Sequence, residues 1–164
     1  MMTDKTTTSD LINVEPATFY NGHNYVIEES IGYLIKQAQL ALNRTVESKM
    51  SALDLTAMQW GPLMLLAHGK ARTAAELSRC ADVETSTMTR MLDRLEAKNL
   101  LIRTRSETDR RIIYIELTEE GLHLVAKVPS MLAESWNQHL CGFNQQEVDT
   151  LKSLLRRIPK NSGE

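Results

Sequence analysis

The chain has 164 residues, 42 % of them hydrophobic and 24 % charged, with a formal net charge of −2; this suits one globular domain, or one with appended helices, and excludes a general polycation. No apolar run approaches the ~18 residues of a membrane span, and MMTDKTTTSD lacks the basic and apolar regions of a signal peptide. Two cysteines, Cys80 and Cys141, make no disulfide framework, so a reduced, cytoplasmic protein with no membrane partner is expected.

Residues 1–22 are polar and Thr-rich, with Pro16 and Gly22, and read as a flexible or partner-wrapped extension. From residue 25 to 50, Val26, Ile27, Ile31, Leu34, Ile35, Ala38, Ala41, Leu42 and Val46 recur at three- and four-residue steps, which predicts one long amphipathic helix. A second helix is predicted over residues 56–68, with Pro62 near its first turns and Gly69 as its left-handed stop. In TAAELSRCADVETSTMTRMLDRLEAKN, Thr73 and Glu76 match a capping box. A short helix to about Arg79, a turn through residues 80–82 and a further helix over residues 85–98 follow. Met88, Met91, Leu92 and Leu95 would form that helix's inner face, and Asn99 its end. LLIRTR and IIYIEL alternate in strand fashion on either side of the polar loop SETDRR, and predict a β-hairpin. Thr118-Glu119-Glu120-Gly121 opens a helix that reaches Leu140, bent at Pro129, and a last helix occupies residues 144–158.

The fold class is therefore mainly α (α+β): a winged helix-turn-helix with long N- and C-terminal dimerisation helices. The chain divides into the extension (1–22), an N-terminal dimerisation helix (23–55), a DNA-binding lobe (56–117) and C-terminal dimerisation helices (118–160). The charge distribution agrees. Between Lys98 and Arg111, five basic residues stand against two acidic ones, a small positive footprint on a slightly acidic chain. A helix that enters the major groove needs small hydroxyls and a few cations on its outer face. Thr85, Ser86, Thr87, Thr89 and Arg90 supply them, and free N–H groups at the same end favour a phosphate.

The stretch TRMLDRLEAKNLLIRTRSETDRRIIYIELTEEG, residues 89–121, closely resembles the MarR family (multiple-antibiotic-resistance-type regulators). The matching elements are TRMLDRLE, KNLLIR, the wing motif DRR (Asp109, Arg110, Arg111) and LTEEG. The resemblance implies that Arg111 enters the minor groove and Asp109 orients it. It also implies that the recognition helix reads DNA through Thr85, Ser86, Thr87, Thr89 and Arg90, with Arg103 and Arg105 near phosphates. Asn99 stands where the family usually has Gly, with the same backbone demand. The peroxide-sensing branch carries a cysteine near its N-terminus, and this chain has none there.

Other basic residues read differently. Arg94, beside Asp93, reads as a surface ion-pair residue, Arg79 as structural, and Arg110 as shared between the hairpin backbone and DNA. The resemblance further implies a homodimer, with recognition helices roughly 34 Å apart on a pseudo-palindromic duplex. It implies a small aromatic effector between the lobes; His23, Tyr33, Met58, Trp60, Met64, His68 and Arg79 are the candidate lining, though a Met and aromatic stripe is also ordinary core. No cofactor is expected, and the four histidines show no paired metal spacing. Cys80, in the turn, reads as a buried structural thiol.

A repressor released by a benzoate-like or phenolic ligand is the leading expectation. The alternatives are a redox regulator acting through Cys80 or Cys141, and a winged-helix module that binds protein. An enzyme is not expected: the chain has no nucleophile elbow, phosphate loop or acid–base pair.

Overall fold

The computed structural model describes residues 17–161, so most of the expected extension lies outside the described residues. The chain divides into two units, the first ending at Gln37 and the second running from Ala38.

In the first unit a 3-10 turn, Ile27–Glu29, precedes helix α1, Ile31–Ser51. The helix expected from residue 25 starts later because Ser30 is extended, with φ −75° and ψ 142°. The Ser30 hydroxyl accepts the Tyr33 N–H at 3.3 Å, as an N-cap does. Ahead of it the Tyr20 hydroxyl accepts the Ile31 N–H at 2.9 Å, and the Tyr20 and Tyr25 rings lie 5.7 Å apart. Apolar periodicity continues through this segment and carries no information about the cap.

In the second unit the latter half of α1 buries Val46 and Met50. Helix α2 is Trp60–Ala67, shorter than residues 56–68, because the Gln59 side chain accepts the Thr56 N–H at 3.0 Å and closes a separate turn there. Gly69 ends α2 in a left-handed conformation at φ +62°, as expected. Helix α3, Ala74–Ala81, has both halves of the Thr73/Glu76 capping box. It runs two residues beyond expectation and ends where Asp82 turns left-handed at φ 50°. Helix α4, Thr85–Ala97, buries Met88, Met91, Leu92 and Leu95, and Asn99 takes the predicted left-handed conformation at φ 56°.

Strands β1, Leu101–Arg105, and β2, Ile113–Leu117, pair antiparallel with Leu101 opposite Leu117 and Arg105 opposite Ile113. The Ile115 N–H donates to the Arg72 carbonyl at 2.8 Å, clipping the hairpin to the segment that leads into α3. The single bent helix expected next is two helices, α5, Glu119–Val125, and α6, Val128–His139. The break falls at Ala126 and Lys127. Pro129 sits in the first turn of α6, where its missing N–H breaks no bond. Helix α7 is Gln145–Asn161, with Pro159 inside its last turn.

One core joins these elements: Leu63 from α2, Leu77 from α3, Met88, Leu92 and Leu95 from α4, Leu101 and Ile115 from the hairpin, and Val125 and Val128 from the helices after it. Each fully buried side chain contributes about 1.5–3 kcal/mol. This is a mainly helical fold with a two-stranded wing, as the sequence predicted.

Candidate DNA-binding interface and effector cleft

Helix α4 presents its polar face because its apolar residues are spaced three and four apart and face the core. Thr85, Ser86, Thr87, Thr89, Arg90, Asp93 and Arg94 are all exposed. The helix start differs from expectation. Glu84 is the N-cap, and its Oε2 accepts the Ser86 N–H at 3.1 Å, the Thr87 N–H at 3.2 Å and the Ser86 hydroxyl. The first-turn N–H groups expected to be free for a phosphate are thus held by a carboxylate. The Ser86 hydroxyl, then the Ser86 and Thr87 amides, hold the Glu84 carboxyl below its ordinary value, so the anion is the form present. The Thr89 hydroxyl donates to the Thr85 carbonyl at 2.9 Å. The protons of Ser86 and Thr89 are therefore committed within the helix, while the Thr85 and Arg90 side chains bond to none of the described residues.

The wing is built around Asp109. Its carbonyl accepts the Ile112 N–H at 2.9 Å, and its Oδ1 accepts the Arg111 N–H at 3.0 Å. Its own N–H donates to the buried Ser106 hydroxyl at 3.2 Å. Asp at the first position of a tight turn does this because its short carboxylate reaches the backbone two residues on. Asp109 thus sets Arg111 through the backbone and leaves the guanidinium outside. Arg110, whose side chain was a candidate for the hairpin backbone, bonds to none of the described residues.

The basic footprint divides in two. Arg103 lies on the strand face shared with Leu101 and opposite Ile115, turned inward. Its Nη2 meets Asp93 at 2.7 Å and its Nη1 meets Glu96 at 2.6 Å, tying β1 to α4. Expected near phosphates, it is committed to two carboxylates. Lys98 pairs with Asp54 at 2.9 Å. Asp93 is thereby taken by Arg103 and not by Arg94. On α4 and the hairpin, Arg90, Arg94, Arg105, Arg110 and Arg111 are exposed and pair with none of the described residues. Sequence reasoning did not anticipate that Arg94 would stand unpaired or that Glu84 would cap α4. The alternation that puts Arg103 on the Leu101 face was the available signal for the first.

A cleft of about 670 Å³ opens between α2 and the end of α3, lined in part by Met58, Trp60, Met64, His68, Lys70 and Cys80, with Ala81 and Val83 beside them. Four of the seven expected effector residues, Met58, Trp60, Met64 and His68, therefore come together. His23 and Tyr33 belong to the first unit. Arg79 is exposed on α3 beside Glu76, whose carboxyl it helps to lower after the Arg72 amide. The His68 Nδ1 lies 2.8 Å from the Met64 carbonyl. Cys80 is in the last turn of α3, exposed and free, and not the buried thiol expected of a turn residue; the longer α3 carries it outward. Among the described residues no group of three or more His, Cys, Asp or Glu is placed to hold a metal, and no helix is long and apolar enough to cross a membrane.

A capped helix, a turn, an exposed polar helix and a hairpin that frees arginines at its tip define a winged helix-turn-helix DNA-binding protein. A sequence model of the MarR family matches residues 53–112. The transcriptional regulator PecS of Dickeya dadantii is 31 % identical over 130 residues, 77 % of this chain and 78 % of its own length. MarR of Escherichia coli K12 is 29 % identical over 129 residues, 78 % of this chain and 90 % of its own. A crystal structure of a mutant of that MarR complexed with operator DNA superimposes with a TM-score of 0.73 at 28 % identity, covering 82 % of this chain and 98 % of the other. The chain belongs to the MarR family of DNA-binding transcriptional regulators.

Proposed function

We propose that the chain is a repressor that binds a pseudo-palindromic operator as a homodimer and leaves it when a small aromatic acid enters the α2–α3 cleft. The observation that carries the DNA half is the set of guanidinium groups with no partner among the described residues, Arg90 and Arg94 on α4 and Arg105, Arg110 and Arg111 on the wing. A chain of net charge −2 leaves cations unneutralised at one surface when that surface meets polyanion. In this reading α4 lies in the major groove, with Thr85, Thr87 and Arg90 toward bases and phosphates. Arg111 enters the minor groove, whose negative potential rises where it narrows. Ser86, Thr89 and Arg103 act by shaping the helix and wing.

The dimer is supported by α7, which has no buried residue and exposes Leu151, Leu154 and Leu155. A helix of that length is marginal in water without an apolar surface to cover its stripe, and a second copy supplies one. The effector half is supported by the cleft. Its volume falls within the range of small-ligand sites, about 300–1,000 Å³, and its walls are apolar with Lys70 and His68 at hand for a carboxylate. Val83, on its wall, immediately precedes the cap of α4, so a ligand that displaces this turn re-aims the recognition helix. A redox reading through Cys80 or Cys141 has less behind it. Both thiols are exposed and free, on α3 and after α6, and neither is paired with another cysteine within the chain.

The test is a titration of full-length protein against duplexes selected from a randomised pool, at several salt concentrations. Log K should fall with log salt at a slope of about −0.9 per phosphate neutralised. Arg111→Ala should weaken binding about tenfold or more with an unchanged melting temperature. A flat salt response, or full affinity in Arg111→Ala, refutes DNA reading by the wing. Benzoate-like carboxylates added to the same titration should release the duplex; if none does, the effector half fails.

A further inference from the structure

The N-terminal tip of α4 carries a carboxylate where a DNA-reading helix commonly offers phosphate its free N–H groups. Glu84 is exposed, and three donors converge on one of its oxygens, Oε2. The side chain is thus fixed by its own helix, the Thr87 hydroxyl also helping to hold its carboxyl, and its exposed carboxylate keeps acceptor capacity beyond those bonds. Resting on the DNA-binding reading, we infer that Glu84 is a specificity-determining residue, which accepts a hydrogen bond from the exocyclic amine of a cytosine at one position in each half-site.

The chemistry selects the base. An ionised carboxylate only accepts. In the major groove guanine offers the acceptors N7 and O6, and thymine O4, all of which repel it. Adenine places the N7 acceptor beside its N6 amine, while cytosine offers its N4 amine alone. A phosphate is refused on charge, so the tip of α4 is held off the backbone that Arg90 and Arg94 seek. Rigidity matters as much as charge. A floppy carboxylate loses side-chain entropy on contact, whereas this one is already held by Ser86 and Thr87. The same bonds explain why Ser86 has no proton left for DNA.

The experiment is selection of operator sequences from a randomised duplex pool by full-length wild type, Glu84→Gln and Glu84→Ser. Serine is a good N-cap without charge, so that variant keeps the helix start; circular dichroism and melting temperature check it. Wild type should choose cytosine at one position per half-site, by roughly 5- to 100-fold over other bases. Glu84→Ser should lose that preference and keep every other position. Glu84→Gln, which both donates and accepts, should shift the position toward adenine. A residue that merely caps α4 would change affinity alike for all sequences, so variants that select the wild-type bases everywhere overturn the inference. If wild type itself selects no sequence, the DNA-binding reading falls, and the inference with it.

Discussion

A Cβ built on Gly121 would fall within the Leu100 carbonyl group, and the surrounding bonds leave that carbonyl little freedom. The Leu100 oxygen accepts the Thr118 N–H at 3.2 Å. The Thr118 hydroxyl donates to the Asn99 carbonyl at 2.6 Å and accepts the Gly121 N–H at 3.0 Å. The end of α4, the start of β1 and the cap of α5 are thereby knotted at a glycine. Gly121→Ala should therefore destabilise the fold by about 1–3 kcal/mol or more, read from urea unfolding. Gly61, in the first turn of α2, has no atom within 4 Å of its would-be Cβ. Gly61→Ala should be neutral or stabilising by up to about 1 kcal/mol. Equal losses at the two sites would show that the close approach at Gly121 is not what matters.

At the scale of elements, the wing and the recognition helix behave as one piece because Arg103 joins them. Its fork reaches two carboxylates one helical turn apart on α4, a geometry that suits guanidinium better than ammonium. The pairs are partly exposed, so their contribution to stability is small; the consequence belongs to orientation. Arg103→Ala should weaken operator binding by freeing the wing, yet leave the slope of log K against log salt unchanged, since Arg103 neutralises carboxylates and not phosphates. Arg105→Ala should make that slope shallower by about 0.9 for each phosphate it leaves unneutralised. If Arg103→Ala also makes the slope shallower, Arg103 touches DNA and the tie to α4 is incidental. The start of α4 repeats the lesson. Thr85, Ser86 and Thr87 look interchangeable as hydroxyls, but one proton goes to Glu84, and Thr89 farther along gives its own to Thr85.

For the whole molecule, the proposed dimer rests on α7. Its stripe of Leu151, Leu154 and Leu155 is 41 %, 49 % and 45 % exposed, too much apolar surface for a helix with no other means of burial. Beside it, Trp136, Leu140 and Phe143 of the α6 end line a groove with Val148. Leu154→Asp should convert a dimer to a monomer in light scattering, with the far-ultraviolet spectrum of the DNA-binding lobe retained. Operator affinity should fall on the order of 10²-fold or more, because each lobe loses the effective concentration supplied by its twin. A wild-type protein that is monomeric at micromolar concentration would remove this account of α7.

Local patterns decided much of this protein before any tertiary contact. The 88/91/92/95 spacing repeats at the helical period, and the Thr73/Glu76 box, Gly69 and Asn99 each meet a local backbone demand, so they were legible in order; the Asp109 turn was not read from the residues. Helix starts at Ser30 and Trp60 were not, because the capping groups of Ser30 and Gln59 interrupt a periodicity that runs on past them. The candidate site divides in the same way. Arg110 and Arg111 stand outside because a turn places them there. Which of the remaining charges stay unpaired depended on where α4 and β1 meet, and that meeting paired Arg103 with Asp93 and left Arg94 without a partner among the described residues. The gathering of Met58, Trp60, Met64 and His68 with Cys80 and Val83 around one cleft likewise joins residues distant along the chain. Charge and hydroxyl content are properties of residue types; which of those groups is already bonded is decided by packing.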